Sequence, residues 1–230
     1  MTKAPGAKLS RFYHIEQGSA AGAPFVYIAV FPDQEEAMRQ AAQLVDAPFT
    51  LVAFEVEGWN NLLTPWPAPA IRKGADFGGH GGDTLQQLLE KIIPAAEGER
   101  TVNQRFICGY SLSGLFALWS LTQTDAFAGA ASISGSLWYR DFPRLLKKSL
   151  KAGAFPADAQ VYLSLGNAEA RTKNAVMATV EKATNEVAEM LSSNPLVSRC
   201  TLEMNKGGHF DNATQRIAAG ISWLLEGTHE

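Results

Sequence analysis

Ser111 stands in Gly109-Tyr110-Ser111-Leu112-Ser113-Gly114, directly after the apolar run Phe106-Ile107-Cys108 and directly before Leu115-Phe116-Ala117-Leu118-Trp119. A serine on a tight turn between a buried strand and a helix projects its hydroxyl above the sheet edge, where it can attack a carbonyl. The helix N-terminus behind it offers free N–H groups and a positive dipole end to a developing oxyanion. The pattern departs from G-x-S-x-G at its last place, where Ser113 stands and the glycine follows at Gly114. Ser113 is small enough for close packing, although a strained backbone there costs it more than it costs glycine. The plainer alternative is a Gly/Ser-rich turn in which Ser113 only caps the helix.

A serine hydroxyl is a weak nucleophile and needs a base, which in turn needs an orienting acid. Of the four histidines, His209 in Lys206-Gly207-Gly208-His209-Phe210-Asp211 follows the last expected strand and precedes the final helix, on the same carboxyl edge as Ser111. His14 falls in the first expected strand and His229 in a polar tail. His80-Gly81-Gly82 superficially matches the HGGG oxyanion pattern, but it lies far past its strand and reads as a loop approaching a helix start. For the acid, Glu169 in Gly166-Asn167-Ala168-Glu169-Ala170-Arg171 again sits at the carboxyl edge. Asp141 is its main competitor; Asp158 enters the same strand from the opposite end, and Asp211 is too close to His209 to orient it easily.

Positioning these groups requires strands that end on one edge. Short β-rich runs are expected at residues 11–16, 25–30, 49–55, 105–108, 127–132, 160–165 and 198–204. Several are apolar or small throughout, as in strands buried on both faces of a helix-covered sheet. Helical patterns fall near residues 34–44, 83–93, 114–123, 141–150, 175–192 and 213–226, with the second stopping at Pro94. Strand–helix alternation implies an α/β architecture, a mostly parallel central sheet with helices on both faces. The runs at 11–16 and 25–30 could pair as an antiparallel edge across Gly18 to Pro24. Residues 57–82 break the rhythm as a long, Trp- and Gly-rich loop starting at the carboxyl edge, where open α/β folds bind ligands. Its tryptophans argue that the loop is ordered.

The segment 109–119, the loop 165–171 and Gly207-Gly208-His209 together resemble the esterase branch of the α/β-hydrolases that includes the enterochelin (trilactone siderophore) esterases and esterase D. The resemblance extends over most of the chain from Phe25. It takes in Asn61-Leu62-Leu63-Thr64-Pro65-Trp66-Pro67 and Gly135-Ser136-Leu137-Trp138. It implies an α/β-hydrolase fold, and since the expected strands and helices consume nearly all 230 residues, no room is left for a separate lid domain. It also implies a serine nucleophile, a carboxylate and a histidine, carried onto Ser111, Glu169 and His209. The order Ser, acid, His is the one such folds use.

In such folds the backbone N–H after the nucleophile, here Leu112, forms half of the oxyanion hole. The other half is expected from the loop after strand 49–55, at Gly58 or Trp59. Tyr110, Trp66 and Trp138, together with Trp59 and Tyr139, are candidates to line a substrate pocket, with simple packing as the alternative for each.

Composition excludes other classes. Lys+Arg 20 against Asp+Glu 23 leaves a net charge of −3, with no electrostatic footprint for nucleic acid or anionic lipid. A hydrophobic share of 46% is too high for a disordered chain. The apolar run Phe25 to Phe31 is too short to span a bilayer, and no secretory signal is visible, so a cytoplasmic protein is expected. Two cysteines cannot build a disulfide framework, and both Cys108 and Cys200 read as buried free thiols. No ligand cluster suggests a metal and no glycine fingerprint a nucleotide, so no cofactor is expected. The reading is one hydrolase domain over residues 1–230, the first ten flexible, acting on a small-molecule ester without nucleic-acid or membrane partners. Two alternatives stay open: acyl transfer on the same triad, and a non-catalytic relative that binds a ligand or partner, motivated by Ser113 and the Trp-rich loop.

Overall fold

The structure is a computed structural model that describes residues 9–18, 20–71 and 74–226. His229 and most of the expected flexible N-terminus lie outside these residues, whereas Leu9 and Ser10 already belong to the first strand. The strands are β1 (Leu9–Gln17), β2 (Phe25–Val30), β3 (Phe49–Val56), β4 (Pro67–Ala68), β5 (Phe77–Gly78), β6 (Arg105–Tyr110), β7 (Gly129–Ile133), β8 (Ala159–Gly166) and β9 (Val197–Asn205). The helices are α1 (Glu35–Gln43), α2 (Trp59–Leu62), α3 (Gly81–Gln87), α4 (Ile93–Glu97), α5 (Leu112–Ser120), α6 (Phe142–Lys151), α7 (Val180–Ser192) and α8 (Ala213–Glu226).

Seven strands form one sheet in the order β1-β3-β2-β6-β7-β8-β9, all parallel except β1. Strands β2, β3 and β8 are buried at every position, so successive side chains enter opposite cores. Phe25, Tyr27 and Ala29 of β2 pack on the face covered by α3 to α7, whereas Val26, Ile28 and Val30 pack on the face covered by α1 and α8. Among the described residues no separate lid domain stands over the sheet, and no helix is long and apolar enough to cross a membrane.

Three expectations need correction. β1 does not pair with β2; it lies antiparallel on the outer side of β3, with Gln17 opposite Phe49. Its exposed His14 and Glu16 alternate with buried Tyr13 and Ile15, and such a half-polar strand belongs at an edge. The fully apolar β2 needs two covered neighbours and takes β3 and β6. The helix near 83–93 does not stop at Pro94 either. A π turn over Leu88–Ile92 joins α3 to α4, and the wider turn opens the space the proline ring needs at the start of α4. Finally, residues 57–82 are not one continuous loop, although ordered as expected: α2, the β4–β5 ribbon and the start of α3 occupy them.

The amino edge of the sheet is clamped under the strands that carry the site. Arg105 donates from Nε (2.6 Å) and Nη2 (2.7 Å) to the two Glu97 oxygens, and Tyr27 Oη donates to Oε1 (2.7 Å). Burial and the neighbouring Glu97 raise the Tyr27 hydroxyl far above its ordinary range, so it stays a donor.

Candidate active site

β6 runs into α5 through Ser111, whose φ of 62° and ψ of −122° are those of a strained elbow. For a residue with a Cβ this costs about 1–3 kcal/mol, and neighbours must hold it. They do so from both sides: Ser111 N–H donates to Ile133 O (3.0 Å), and Ser136 N–H donates to Ser111 O (3.0 Å). A Cβ at Gly109 would stand 2.1 Å from Ser113 O, and one at Gly114 would stand 3.1 Å from the Gly135 Cα. Gly114 thus makes the close approach that the usual motif assigns one residue earlier.

Ser113 is fully buried inside α5 with no positive φ, and its Oγ donates to Ala29 O (2.9 Å) instead of capping the helix. The departure from G-x-S-x-G therefore adds a tie between the elbow and the end of β2. Ser113→Gly should lower stability by about 1–2 kcal/mol, from the lost hydrogen bond and the freed backbone. Thermal melting of the variant measures this, and the elbow is expected to keep its labelling by serine-directed reagents.

His209 Nε2 lies 3.1 Å from Ser111 Oγ, and its Nδ1 lies 2.7 Å from Glu169 Oε2. An ionised carboxylate only accepts, so Nδ1 carries the proton and Nε2 is left to accept from Ser111. The two loops that supply these groups are stitched together. Ala168 N–H donates to Gly207 O (2.9 Å), Gly207 N–H to Asn167 Oδ1 (3.1 Å), and Gly208 N–H to Asp211 Oδ2 (2.7 Å). Asp211 thus shapes the histidine turn. Asp141 faces elsewhere: at the start of α6 it pairs with Arg140 (3.6 Å) and Arg144 (3.3 Å), with about half of its side chain in solvent.

Three partners of Glu169 escaped the reading of the sequence. Ser134 Oγ donates to Glu169 Oε1 (2.5 Å), as does Gly166 N–H (2.6 Å). Arg216 reaches the same oxygen from Nη2 (3.3 Å) and Nη1 (3.4 Å). A signal for Arg216 did exist: it is a charge spaced four residues before Gly220 and eight before Leu224, on the buried stripe of α8. Burial works against the Glu169 charge, but the hydrogen bonds from His209, Ser134 and Gly166 outweigh it and hold the carboxyl below its ordinary value. Cys108, three residues before Ser111, does not compete as a nucleophile, because complete burial pushes its thiol up to about 12. Cys200 is half-buried on β9, not fully buried as expected.

No family model matches the chain. It is 29% identical over 220 residues to the uncharacterized protein YbbA of Bacillus subtilis, covering 89% of this chain and 86% of that one. Among solved structures, an IroE-like serine hydrolase from Shewanella oneidensis superposes with a TM-score of 0.79 at 17% identity, over 94% of this chain and 75% of its own. The siderophore hydrolase EstA of Aspergillus nidulans superposes with a TM-score of 0.75 at 15% identity, over 94% and 95%. This chain has the α/β-hydrolase fold.

The α/β-hydrolase fold puts a cavity of about 830 Å³ over Ser111 at the carboxyl edge. Of the expected pocket residues, Tyr110, Trp138 and Trp59 line it, with Ile71, Phe77 and Met177. Trp66 and Tyr139 do not. Trp66 Nε1 donates to Arg140 O (3.1 Å), and the buried Tyr139 donates from Oη to Trp66 O (2.5 Å), so both serve packing. His80 also stays outside the cavity, at the start of α3 with Asp83 (2.9 Å).

The expected second oxyanion donor, Gly58 or Trp59, follows a strand that does not flank β6. β2, not β3, flanks β6, so the loop that reaches the elbow begins at Phe31 after Val30. Gly58 and Trp59 follow β3, one strand farther away; Gly58 does not line the cavity, and Trp59 enters it with its ring stacked on Phe31 (3.9 Å between centroids).

Proposed function

We propose that this chain is a serine hydrolase that cleaves carboxylic esters through an acyl-Ser111 intermediate. The observation that carries the reading is the continuous line Ser111 Oγ, His209 Nε2, His209 Nδ1, Glu169 Oε2, at 3.1 and 2.7 Å, beneath a cavity. Ser111 Oγ attacks the ester carbonyl carbon while His209 Nε2 takes its proton, and Glu169 steadies the imidazolium that forms. The oxyanion is received by the Leu112 N–H, unpaired within the helix because it is the first of α5, and by the N–H of Phe31, which follows β2 and lines the same cavity as Ser111. Collapse expels the alcohol, which takes the proton from His209. Water then attacks the acyl-Ser111 carbonyl, with His209 again as base, and frees the acid.

The mostly apolar lining, with Trp59, Phe77 and Trp138, suits an apolar or aromatic acyl or alcohol group. The neighbouring serine hydrolase and siderophore hydrolase support an ester substrate, and a siderophore-like ester is the narrower form of the proposal. The non-catalytic alternative drew on Ser113 and the Trp-rich loop; the bond from Ser113 Oγ to Ala29 O accounts for the first without harm to the elbow. A fluorophosphonate probe followed by intact-mass and peptide analysis tests the proposal: one adduct on the peptide carrying Ser111 is expected. A folded protein that takes up no probe would sink it. Product analysis in the presence of an added alcohol separates hydrolysis from acyl transfer.

A further inference from the structure

Arg216, near the start of α8, is 4% exposed. Its guanidinium keeps its proton under all ordinary conditions, so a full positive charge is buried there. Nη1 and Nη2 reach Glu169 Oε1 at 3.4 and 3.3 Å, Nη2 reaches Ser164 Oγ at 3.4 Å, and Nη1 reaches Tyr110 Oη at 3.4 Å. Among the described residues Nε has no hydrogen-bond partner. The contacts are long and one donor is orphaned. As a device for stability this is poor, since an apolar side chain of similar volume usually serves a core as well or better. As a charge beside the acid of the triad it has a use.

We propose that Arg216 is a positioning residue of the site: its buried cation offsets the charge of Glu169, so that the Glu169–His209 pair rests unprotonated and Ser111 meets a free base near neutral pH. This rests on the reading of Ser111, His209 and Glu169 as a nucleophilic triad. At rest, Arg216 (+), Glu169 (−) and neutral His209 sum to zero. When Oγ bonds to the carbonyl carbon, its proton moves to Nε2 and the carbonyl electron pair moves onto oxygen. The triad then carries one positive charge against one negative oxyanion, and the site remains neutral. Without Arg216 the resting site holds one uncompensated negative charge in a buried place. The pair then takes a proton from solvent at higher pH, and the base is occupied before substrate arrives.

The other groups around the pair leave this role to Arg216. From β6, Tyr110 donates from Oη to His209 O and is a neutral phenol, raised by burial. From the histidine loop itself, Asp211 is engaged by the Gly208 N–H. After β7, Ser134 is uncharged. On β9, Glu203 accepts from Tyr162 Oη (2.6 Å) and Asn205 Nδ2 (2.8 Å). Arg171, two residues past Glu169, is exposed on the cavity wall. Among the described residues, Arg216 is the cation that touches the Glu169 carboxylate.

The experiment compares kcat/KM for a neutral aryl ester between about pH 5 and 9 in wild type, Arg216→Met and Arg216→Lys, each checked by its thermal transition. In Arg216→Met the acid limb should move to higher pH by on the order of one unit, with an activity deficit of roughly tenfold on the acid side that closes toward alkaline pH. Arg216→Lys changes the shape but not the charge and should keep the wild-type limb whatever its rate. A limb that stays put in Arg216→Met, with activity lowered equally at every pH, makes the role structural and overturns the proposal. So does a limb displaced in Arg216→Lys, which decides the matter even if Arg216→Met does not fold. Fluorophosphonate capture by the wild type is scored separately. Its absence removes the triad reading, whereas capture together with an unmoved limb removes only the role of Arg216.

Discussion

Ser111→Ala is expected to abolish covalent capture by a fluorophosphonate and to lower ester turnover by at least about 10³-fold. The effect is large because nothing nearby can replace the hydroxyl. Cys108 is buried with its thiol pushed up to about 12, and Ser113 is turned away onto Ala29 O. Whatever turnover remains would come from binding and the oxyanion donors acting on water. The fold should survive, since the elbow is held by main-chain bonds of Ser111 to Ile133 and Ser136 that alanine also makes. Alanine still has to adopt the positive φ. Unchanged turnover in a folded Ser111→Ala would remove the proposed mechanism.

Glu169→Gln carries the second large effect, on two observables. The amide presents either a donor or a weak acceptor to Nδ1, so the proton that should sit there is no longer specified, and turnover should fall by roughly 10²–10⁴-fold. Asp141→Asn is the control and should leave turnover alone, because its carboxylate answers Arg140 and Arg144 at the surface. A greater loss in Asp141→Asn would move the acid of the triad to that residue. Stability should drop as well. Glu169→Gln leaves the Arg216 guanidinium buried without its carboxylate, a change worth about 3–5 kcal/mol and on the order of 10 °C in Tm for a chain of this size. The sign with pH follows from the lowered Glu169 carboxyl. Its contribution is fully present above the unfolded carboxylate value, about 4.3, and is lost as the pH falls through the lower folded value. The Tm gap between wild type and Glu169→Gln should therefore be widest at neutral pH and narrow in acid. A constant gap would mean that the ionised carboxylate is not what stabilises the loop.

Much of this was legible in the chain because its signals are local. Phe25–Val30 and Ala213–Glu226 match their expected limits, one from an unbroken apolar run and the other from a 3.6-residue stripe. Ser111, Glu169 and His209 could be proposed together since each follows a strand directly, and parallel strands end on one edge. The errors share a different cause. Proline reads as a stop at residue 94 only if the preceding turn is an ordinary α turn, and here it is a π turn over Leu88–Ile92, with Leu88 and Ile92 buried in the core. Trp66 and Trp138 look alike as aromatic loop residues, yet one packs on Tyr139 beneath the loop and the other faces the cavity.

By itself the sequence determined the alternation of buried strands and amphipathic helices, and which hydroxyl, imidazole and carboxylate leave the sheet on its carboxyl edge. Those follow from hydrophobic period and chain order, which need no knowledge of neighbours. The tertiary structure alone decided who stands beside whom. β2 enters between β3 and β6 because a strand apolar on both faces must be covered on both sides, and that choice brings Phe31 rather than Gly58 toward the elbow. Arg216 meets Glu169 across 47 positions of chain only once α8 has docked on the sheet. A buried charge next to the acid of the site is a property of that packing, and residue spacing does not encode it.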